Sequence, residues 1–543
     1  MGIGLGVVAL PYVVLAWWFA FVCDDAYTTF RYARNLARGY GIRYNVGEDP
    51  SEGYSNFLWL LLSAGCEAVG LAPSLVNLAS AACGLVLLGL VVRVGRARFG
   101  LSPFAVFAAA AALAVFPPFD VWATSGLETM SFALAVFVAF ERIVLAREVA
   151  WLAGGLAMVA VALTRTEGIF WDAVLLGLGA IVRNRQRDPQ AFALLARAAF
   201  VLAVPFLVYT AWRSWWFGSL VSNTALVKAH LGVGSAARGL KYLAMFELTF
   251  LAWLPLLLAA VPAIRRERWA GLALAAMAVG FPLYGVLIGG DFMPMGRVFI
   301  AGLPFLFLLL AFALDRLPRP VGGALALGVM LLGLLPGVGD VHLVPQAARE
   351  ALHFRTTDRE FLSELGRWEN MRDNTEAFLL RGSAIRGFAS PRDTLVGQAI
   401  GAVGYASDLF VYDCYGLVTR EVAEIPVDPD AGWEHSPGHD KEVPAEYFAK
   451  YSPTYLHMRV VQGGKAAILI KDSLDRWEVS DEVREAYVPE FVELDLAGET
   501  KRSFLMMVRR RKDSDPPSDQ LWEGFEASRV ALHRALKRDA ATD

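Results

Sequence analysis

Charged residues and cysteines are scarce in this sequence, and both shortages are informative. Only 19% of the 543 residues are charged, whereas 56% are hydrophobic, and the four cysteines form no CxxC pair. Such a composition is too apolar for an ordinary soluble domain. The cysteine pattern argues against a disulfide framework and a structural zinc site. A formal net charge of −3 also leaves no basic field that would attract nucleic acid.

The apolar residues are concentrated in the first part of the chain. Long runs of Leu, Ala, Val and Phe continue to about Asp340, and the remainder has the charge density of a water-soluble fold. The sequence therefore predicts a membrane domain over 1–340 and a soluble domain over 341–543. Residues 2–22 lack a basic start and a small-residue cleavage site, so they are predicted to be the first membrane helix and not a signal peptide.

Eleven apolar stretches approach the length that crosses a bilayer, which predicts a polytopic α-helical membrane protein. They lie at 3–22, 74–92, 103–117, 129–146, 149–164, 168–182, 196–212, 243–263, 269–288, 298–314 and 321–339. The stretch 129–146 is the weakest, because Glu141 and Arg142 interrupt it. The segment Asn56 to Val69 is short and contains Glu67, so it is predicted to be a helix in the membrane interface.

Arginine clusters predict the orientation of these spans. With Asn56 to Val69 kept out of the count, the clusters all fall in alternate short loops on one side: Arg93/Arg96/Arg98, Arg142/Arg147, Arg183/Arg185/Arg187, Arg265/Arg266/Arg268 and Arg316/Arg319. The positive-inside rule assigns that side to the cytoplasm. An odd number of spans then places the C-terminal domain outside the cytoplasmic membrane.

The C-terminal domain has the pattern of an α/β fold. An amphipathic helical stretch covers 346–380, a short helix with its turn covers 399–406, and a terminal helix is predicted over 521–537. Strands are predicted at 394–398, 409–413, 454–458, 466–470 and 503–509. The chain shows no internal repeat.

Two adjacent carboxylates, Asp24 and Asp25, follow the first span directly. Adjacent acids at a membrane surface are costly unless a cation or a reacting hydroxyl shares the site. The alternative is that one of them caps the interface helix that follows the first span, since Asp is a favoured N-cap. Both interpretations hold together if one carboxylate caps while the other reacts.

Further polar residues lie on the same, outer side of the predicted membrane. They are Tyr54 and Asn56 in a Gly-, Asn- and Ser-rich loop, Glu128, Arg165, Lys228, His230, Asp291 and Arg297, with His439 and Lys441 in the soluble domain. Tyr and amide side chains suit a sugar, and the cations suit a phosphate. Structural alternatives remain open for several: Arg165 pairing with Glu167, Asp291 pairing with Arg297, and a surface turn for His439 and Lys441.

Several motifs together resemble the GT-C glycosyltransferases. They are Asp24-Asp-Ala-Tyr, Glu52-Gly-Tyr-Ser-Asn-Phe, Ser125-Gly-Leu-Glu-Thr, Thr164-Arg-Thr-Glu-Gly, Gly289-Gly-Asp-Phe-Met-Pro, Asp413-Cys-Tyr-Gly-Leu and Pro437-Gly-His-Asp-Lys. They are similar in order to the mycobacterial-type terminal β-(1→2)-arabinofuranosyltransferases of cell-wall arabinan. One departure is Thr166, where that family usually has proline. The resemblance implies a polyprenyl-phosphate sugar donor and an envelope glycan acceptor, which meet at the outer membrane face.

The chemistry implied is attack of an acceptor hydroxyl on the anomeric carbon, with a carboxylate as general base. Asp24 is the first candidate and Asp25 the second. The leaving phosphate needs cations, for which Arg165, Lys228 and Arg297 are candidates and His230 a weaker one. A single base suggests inversion, whereas the arabinan enzymes imply net retention, so a nucleophilic carboxylate stays open. No cofactor is predicted as necessary; Asp24 and Asp25 would hold Mg²⁺ or Mn²⁺ if an ion were used.

Other functions compete with this interpretation. A transporter or flippase of lipid-linked sugars would show paired repeats and polar breaks at mid-membrane, which this sequence lacks. A glycan-binding scaffold would make the acids structural. A protein or lipid A glycosyltransferase of the same superfamily would keep the mechanism but change the acceptor.

Overall fold

The computed structural model describes residues 2–146, 148–228, 233–353, 361–426, 441–462, 480–494, 503–525, 527–528 and 530–531. Its first part, to Val338, is helical, and a five-stranded sheet with helices follows. The helices of the first part are α1 Gly2–Trp18, α2 Asp24–Ala37, α3 Phe57–Ala68, α4 Ser74–Ala97, α5 Pro103–Ala114, α6 Pro117–Val121, α7 Thr129–Phe140, α8 Trp151–Thr164, α9 Gly168–Gln186, α10 Ala191–Phe217, α11 Asn223–Lys228, α12 Val233–Phe250, α13 Trp253–Leu257, α14 Ala260–Arg266, α15 Arg268–Leu287, α16 Leu303–Leu314 and α17 Arg319–Val338.

Five helices within the described ranges are long and apolar enough to cross a membrane by length and composition. They are α4, α10, α15, α17 and the continuous segment Arg297–Leu314. Shorter apolar helices cover Gly6–Trp18, Phe57–Ala68, Pro103–Ala114 and Trp151–Thr164. The full count of eleven spans stays a prediction.

The prediction of one span over 243–263 is wrong, because the chain there forms α12, α13 and α14. Leu251 has a left-handed backbone with φ of 47°, which a continuing helix does not permit. The side chain of Glu247 accepts the backbone N–H of Trp253 at 3.1 Å, so a buried polar contact takes the place of helical hydrogen bonds. Another predicted weak point also appears: α7 passes into a π-helical turn, Glu141–Leu145.

The core of the helical part is built around α16. This helix is apolar on every side and nearly all of its residues are buried, as expected for a central helix surrounded by others. A 3₁₀ turn, Arg297–Gly302, leads into it. Arg297 therefore stands at the start of the segment that leads into this buried central helix.

The C-terminal part contains a mixed sheet of strand order β2-β1-β3-β5-β4. The strands are β1 Thr394–Gly397, β2 Phe410–Asp413, β3 Tyr455–Gln462, β4 Tyr487–Leu494 and β5 Ser503–Arg510, and the helices are α18 Gln346–Glu350, α19 Glu364–Arg386, α20 Gly401–Ser407, α21 Arg420–Ala423 and α22 Asp481–Ala486. β1 is parallel to β2 and β3, whereas β5 is antiparallel to β3 and β4. Four strands lie where the sequence predicts them; β4 was not predicted, and 466–470 is outside the described residues.

Helix α2 joins the two parts by packing against α20. Arg31 is buried and donates to the carbonyls of Gly404 at 2.6 Å and Leu409 at 2.5 Å. Arg34 donates to the carbonyl of Tyr405 at 2.8 Å. The contact at Tyr405 pairs a carbonyl of the last turn of α20, where helical partners run out; the Gly404 carbonyl accepts the N–H of Asp408 as well, and Leu409 follows the helix. The residues that follow the first predicted span are thus tied to the C-terminal sheet.

The loop after α2 also pairs with the edge of this sheet. The side chain of Asn45 donates to the carbonyl of Val411 and accepts its N–H, both at 3.0 Å. The amide group therefore takes the place of a neighbouring strand beside β2. Tyr44 adds a hydrogen bond to the carbonyl of Ile400 at 2.8 Å.

Candidate active site

The two adjacent acids form the first turn of α2. The backbone N–H of Cys23 donates to the carbonyl of Ser125 at 3.0 Å, which fixes the start of the helix. No side chain caps α2 itself. The N–H groups at the start of a helix favour negative charge, so both acids suit this position.

Asp24 caps a different helix from its own. Its Oδ1 accepts the N–H of Ala402 at 2.7 Å and its Oδ2 that of Gly401 at 3.3 Å, both at the start of α20. A Cβ at Gly401 would lie 1.9 Å from the Asp24 carbonyl oxygen, so the close approach requires glycine. The alternative that one acid caps the helix following the first span is therefore wrong, because Asp24 caps α20 of the C-terminal domain instead.

Burial raises the pKa of Asp24 to about 6, and the charge of Asp25 adds to this, while the N–H groups of Ala402 and Gly401 oppose it. Asp24 is therefore largely ionised at neutral pH. Its hydrogen bonds to α20 are charge-assisted in that state.

Asp25 lies in the wall of a cavity of about 260 Å³, the first cavity. Its wall contains most of the residues that the sequence singled out: Tyr54, Asn56, Glu128, Arg165, Asp291 and Arg297, with Thr28, Thr29, Glu167 and Tyr284 beside them. They come from α2, the loop before α3, and the ends of α7, α8, α9 and α15. Residues far apart in the sequence thus meet at one site.

Acids and cations in the first cavity are paired. Arg165 donates from Nη1 to Glu128 at 2.7 Å and from Nε to Glu167 at 2.5 Å. Asn56 donates to the other oxygen of Glu128 at 2.8 Å and contacts Thr29 at 3.2 Å. The predicted Arg165–Glu167 pair exists. Glu128 connects this pair to Asn56, in the Gly-, Asn- and Ser-rich loop before α3.

Arg297 forms a second ion pair, donating from Nε to Asp291 at 2.6 Å. Both side chains are about nine-tenths buried, at 11% and 6% exposure. Within the described residues, its two Nη groups have no hydrogen-bond acceptor on the protein. The structural pairing with Asp291 therefore leaves donors for an anion in the cavity.

A second cavity, of about 390 Å³, lies on the other side of Asp25. One wall is α2 with Asp24, and the other is a polar face of α19 together with 398–400 and Tyr415. The α19 residues in this wall are Arg367, Asn370, Met371, Asn374, Thr375 and Phe378. About half of the lining residues are apolar, and among the polar ones amides and hydroxyls outnumber the charged Asp24, Asp25 and Arg367. The first cavity, in contrast, contains the ion pairs of Arg165 and Arg297.

Four residues line both cavities and so form their junction: Asp25, Thr28, Phe292 and Leu417. Leu417 comes from the turn after β2, which Asp413 holds by accepting the N–H groups of Tyr415 at 2.8 Å and Val418 at 3.0 Å. The C-terminal domain therefore contributes to the boundary between the cavities. Asp25 thus lines both cavities, whereas Asp24 lines only the second.

The remaining predicted residues lie elsewhere or outside the described ranges. Lys441 lines neither cavity, and its ammonium group donates to the carbonyl of Ala423 at 2.5 Å. The backbone of Lys228 ends α11, whose Thr224 and Ala225 line the first cavity, but its side chain is not described. His230 and His439 fall outside the described residues.

Sequence reasoning missed the α19 side of the site. Arg367, Asn370, Met371, Asn374 and Phe378 follow each other at spacings of three and four, which puts them on one face of a helix. That spacing was visible in the sequence. Nothing in the sequence shows that this face meets Asp24 and Asp25.

The acid pair does not fit a divalent ion. Both oxygens of Asp24 already accept backbone N–H groups. In the part of the chain that the structure describes, no group of three or more His, Cys, Asp or Glu residues is close enough to hold a metal.

The fold matches that of ArnT from Cupriavidus metallidurans. The structure of ArnT bound to undecaprenyl phosphate aligns with a TM-score of 0.56 at 15% identity, covering 95% of this chain and 98% of that one. Its apo structure aligns with a TM-score of 0.54 at 15% identity, covering 91% and 96%. The chain therefore shares the overall fold of ArnT, which supports the predicted fold class.

Two sequence matches add to this. The terminal β-(1→2)-arabinofuranosyltransferase of Mycobacterium tuberculosis (strain ATCC 25618 / H37Rv) is 28% identical over 335 residues, 53% of this chain and 52% of that protein. The match thus spans about half the length of this curated relative. Residues 366–505 match a domain of unknown function, DUF8728, and this range includes most of α19, strands β1 to β4 and the first three residues of β5.

Proposed function

We propose that this protein is an integral membrane glycosyltransferase that moves a sugar from a polyprenyl-phosphate donor to a glycan of the cell envelope. The observation that carries the proposal is the junction at Asp25, where a cavity with ion pairs meets a cavity with amide and hydroxyl groups. A reaction between a charged lipid-borne donor and a neutral sugar acceptor needs these two environments side by side. The ArnT fold, solved with undecaprenyl phosphate, supports the same class of donor.

The first cavity receives the sugar phosphate in this proposal. The free Nη groups of Arg297, and the remaining Nη2 of Arg165, donate to phosphate oxygens as negative charge develops on the leaving group. Glu128 and Asp291 orient these guanidinium groups through their ion pairs. Lys228, at the end of α11 beside the cavity, is a third candidate cation.

Asp25 is the carboxylate that acts at the junction. An acceptor hydroxyl in the second cavity gives its proton to Asp25 as its oxygen bonds to the anomeric carbon, and the carbon–oxygen bond to phosphate breaks. Asp24 positions Asp25 by anchoring the start of α2 to α20. With attack from the second cavity and departure into the first, this arrangement predicts inversion; a nucleophilic Asp25 would instead give retention.

Arabinofuranose is the transferred sugar that we propose first, because the sequence relative is an arabinofuranosyltransferase. The C-terminal domain is proposed to lie outside the cytoplasmic membrane. A C-terminal reporter enzyme that is active only outside the cytoplasm should therefore be active, and a cytoplasmic result would contradict the proposed sidedness.

Purified protein in lipid should transfer radiolabelled arabinose from decaprenyl-phosphate arabinose to an arabinan oligosaccharide, and Asp25→Asn should abolish this. The anomeric configuration of the product, read by NMR, distinguishes inversion from retention. If the protein instead transfers another sugar from its polyprenyl phosphate, the proposed class of reaction holds but the proposed sugar, arabinose, is wrong. If no sugar is transferred but the lipid-linked sugar moves across the bilayer, the protein is a flippase and the proposed enzyme function is wrong.

A further inference from the structure

The loop between α15 and the 3₁₀ turn, residues 288–296, separates the two cavities. Gly290 and Asp291 line the first cavity, Met293 and Pro294 line the second, and Phe292 lines both. Arg297 follows this loop directly. The backbone position of 288–296 therefore sets the shape of both cavities and the direction of the Arg297 guanidinium group.

The loop has an unusual backbone. Gly289, Gly290 and Gly296 have positive φ, and so does Met295, with φ of 56°. A Cβ at Gly296 would lie 2.4 Å from the ring of Phe246, so the loop is also tightly packed. A non-glycine residue stays in the left-handed region only where its surroundings enforce it. Some contact must therefore hold Met295.

Glu364 supplies such a contact from the C-terminal domain. It is the first residue of α19 and is 5% exposed. Its Oε2 accepts the backbone N–H of Met295 at 2.5 Å. Met295 is fully buried, so this N–H is out of reach of water. Glu364 lines neither cavity.

The same helix carries the polar wall of the second cavity. Arg367 and Asn370 lie one and two turns after Glu364, and Asn374 one turn further. One rigid element thus touches the acceptor cavity along its side and the Arg297 loop at its start.

We propose that Glu364 is a positioning residue that holds the 288–296 loop, and through it Arg297, in the geometry needed for transfer. This inference rests on the proposed glycosyl transfer. It makes α19 the link between the acceptor side and the phosphate side of the site. Misplacement of a reacting group by about 1 Å costs roughly 100-fold in rate, so the contact matters for kcat even though it is remote from substrate.

The test compares Glu364→Ala, Glu364→Gln and Glu364→Asp in full-length protein reconstituted in lipid, with Glu369→Ala, an exposed position of the same helix, as the control. Transfer is measured per amount of folded protein. We expect Glu364→Ala to lower kcat roughly 10- to 100-fold with little change in the KM for acceptor. Glu364→Gln keeps an acceptor oxygen and should recover most of the rate, whereas Glu369→Ala should match the wild type.

A lower unfolding temperature for Glu364→Ala with an unchanged kcat would overturn the proposal, because it would show a purely structural role. If Glu364→Ala does not fold, Glu364→Asp takes its place, since it keeps the charge but shortens the reach to Met295. If the wild type transfers no sugar, the proposed function fails, but the role of Glu364 is still measurable. Binding of undecaprenyl phosphate should then weaken in Glu364→Ala relative to Glu369→Ala, and equal affinities would overturn the inference.

Discussion

The two cavities meet at Asp25 but differ in their chemistry. The first is walled almost entirely by the helical part and contains ion pairs, Arg165 with Glu128 and Arg297 with Asp291. The second takes one wall from α19, and its amides and hydroxyls outnumber its charged groups, Asp24, Asp25 and Arg367. Pre-arranged charges suit a phosphate whose charge grows during reaction, and neutral hydrogen-bonding groups suit sugar hydroxyls. The contrast predicts which substitutions affect which substrate.

The largest effect is expected at the junction. Asp25→Asn should lower transfer by roughly 1,000-fold, because general base assistance is worth about 10²–10⁴ in rate. Its unfolding temperature should stay near that of the wild type. Transfer by purified protein and thermal unfolding are measured on the same samples.

Asp24→Asn is the matched comparison for Asp25→Asn. Its amide nitrogen would face a backbone N–H at the start of α20, so stability should fall by about 1–2 kcal/mol, the usual worth of a strong helix cap. Full activity in Asp25→Asn, together with loss of activity in a stably folded Asp24→Asn, would reverse the roles assigned to the two acids.

Arg297→Ala should have the next largest effect. Its kcat should fall roughly 100-fold, which is the usual result of removing one hydrogen-bond donor to a developing anion. In Arg297→Ala, the carboxylate of Asp291 would be buried without its partner, and this alone could lower the activity. The double variant Arg297→Ala/Asp291→Ala removes that unpaired charge, so its kcat reports the loss of the Arg297 donors alone. Arg316→Ala, at an exposed position, is the control. Wild-type kcat in the double variant would exclude Arg297 from phosphate stabilisation.

The second cavity should show smaller effects confined to the acceptor. Asn370→Ala and Asn374→Ala should each raise the KM for acceptor about fivefold, since one hydrogen bond is worth about 1 kcal/mol. The KM for the polyprenyl-phosphate donor should not change. Asp373→Ala, exposed on the same helix, is the control. A rise in the donor KM instead would exchange the substrates assigned to the cavities.

No change in activity is expected from the last comparison, which concerns a pH dependence of stability from the turn that carries Leu417. Burial raises the pKa of Asp413 to about 6, although backbone N–H groups oppose the shift. Between about pH 4 and 6 the unfolded chain has lost this proton while the folded one keeps it, so stability falls as pH rises, by about 2–3 kcal/mol, and is level above pH 6. Denaturant unfolding of the wild type should show this slope, and Asp413→Asn should lack it. Parallel profiles for the two proteins would contradict the prediction.

Much of the site was predictable because its residues follow the ends of apolar segments. Asp25, Asn56, Glu128, Arg165, Asp291 and Arg297 were all selected for lying on one predicted side, and all line the first cavity. Strand β4 was missed because Pro489 breaks its pattern, yet β4 is the edge of the sheet, where proline costs no ladder hydrogen bond. The break in 243–263 was missed because apolar composition does not reveal the left-handed backbone of Leu251.

The sequence by itself determined that an apolar helical part precedes a polar domain, and that an acid pair follows the first apolar segment. These properties depend on composition and order along the chain. Which acid lines both cavities was decided only by tertiary structure. Adjacent residues of a helix point about 100° apart, and the approach of Gly401 and Ala402 occupies Asp24. Asp25, one position later, is left at the junction because α20 packs against its neighbour.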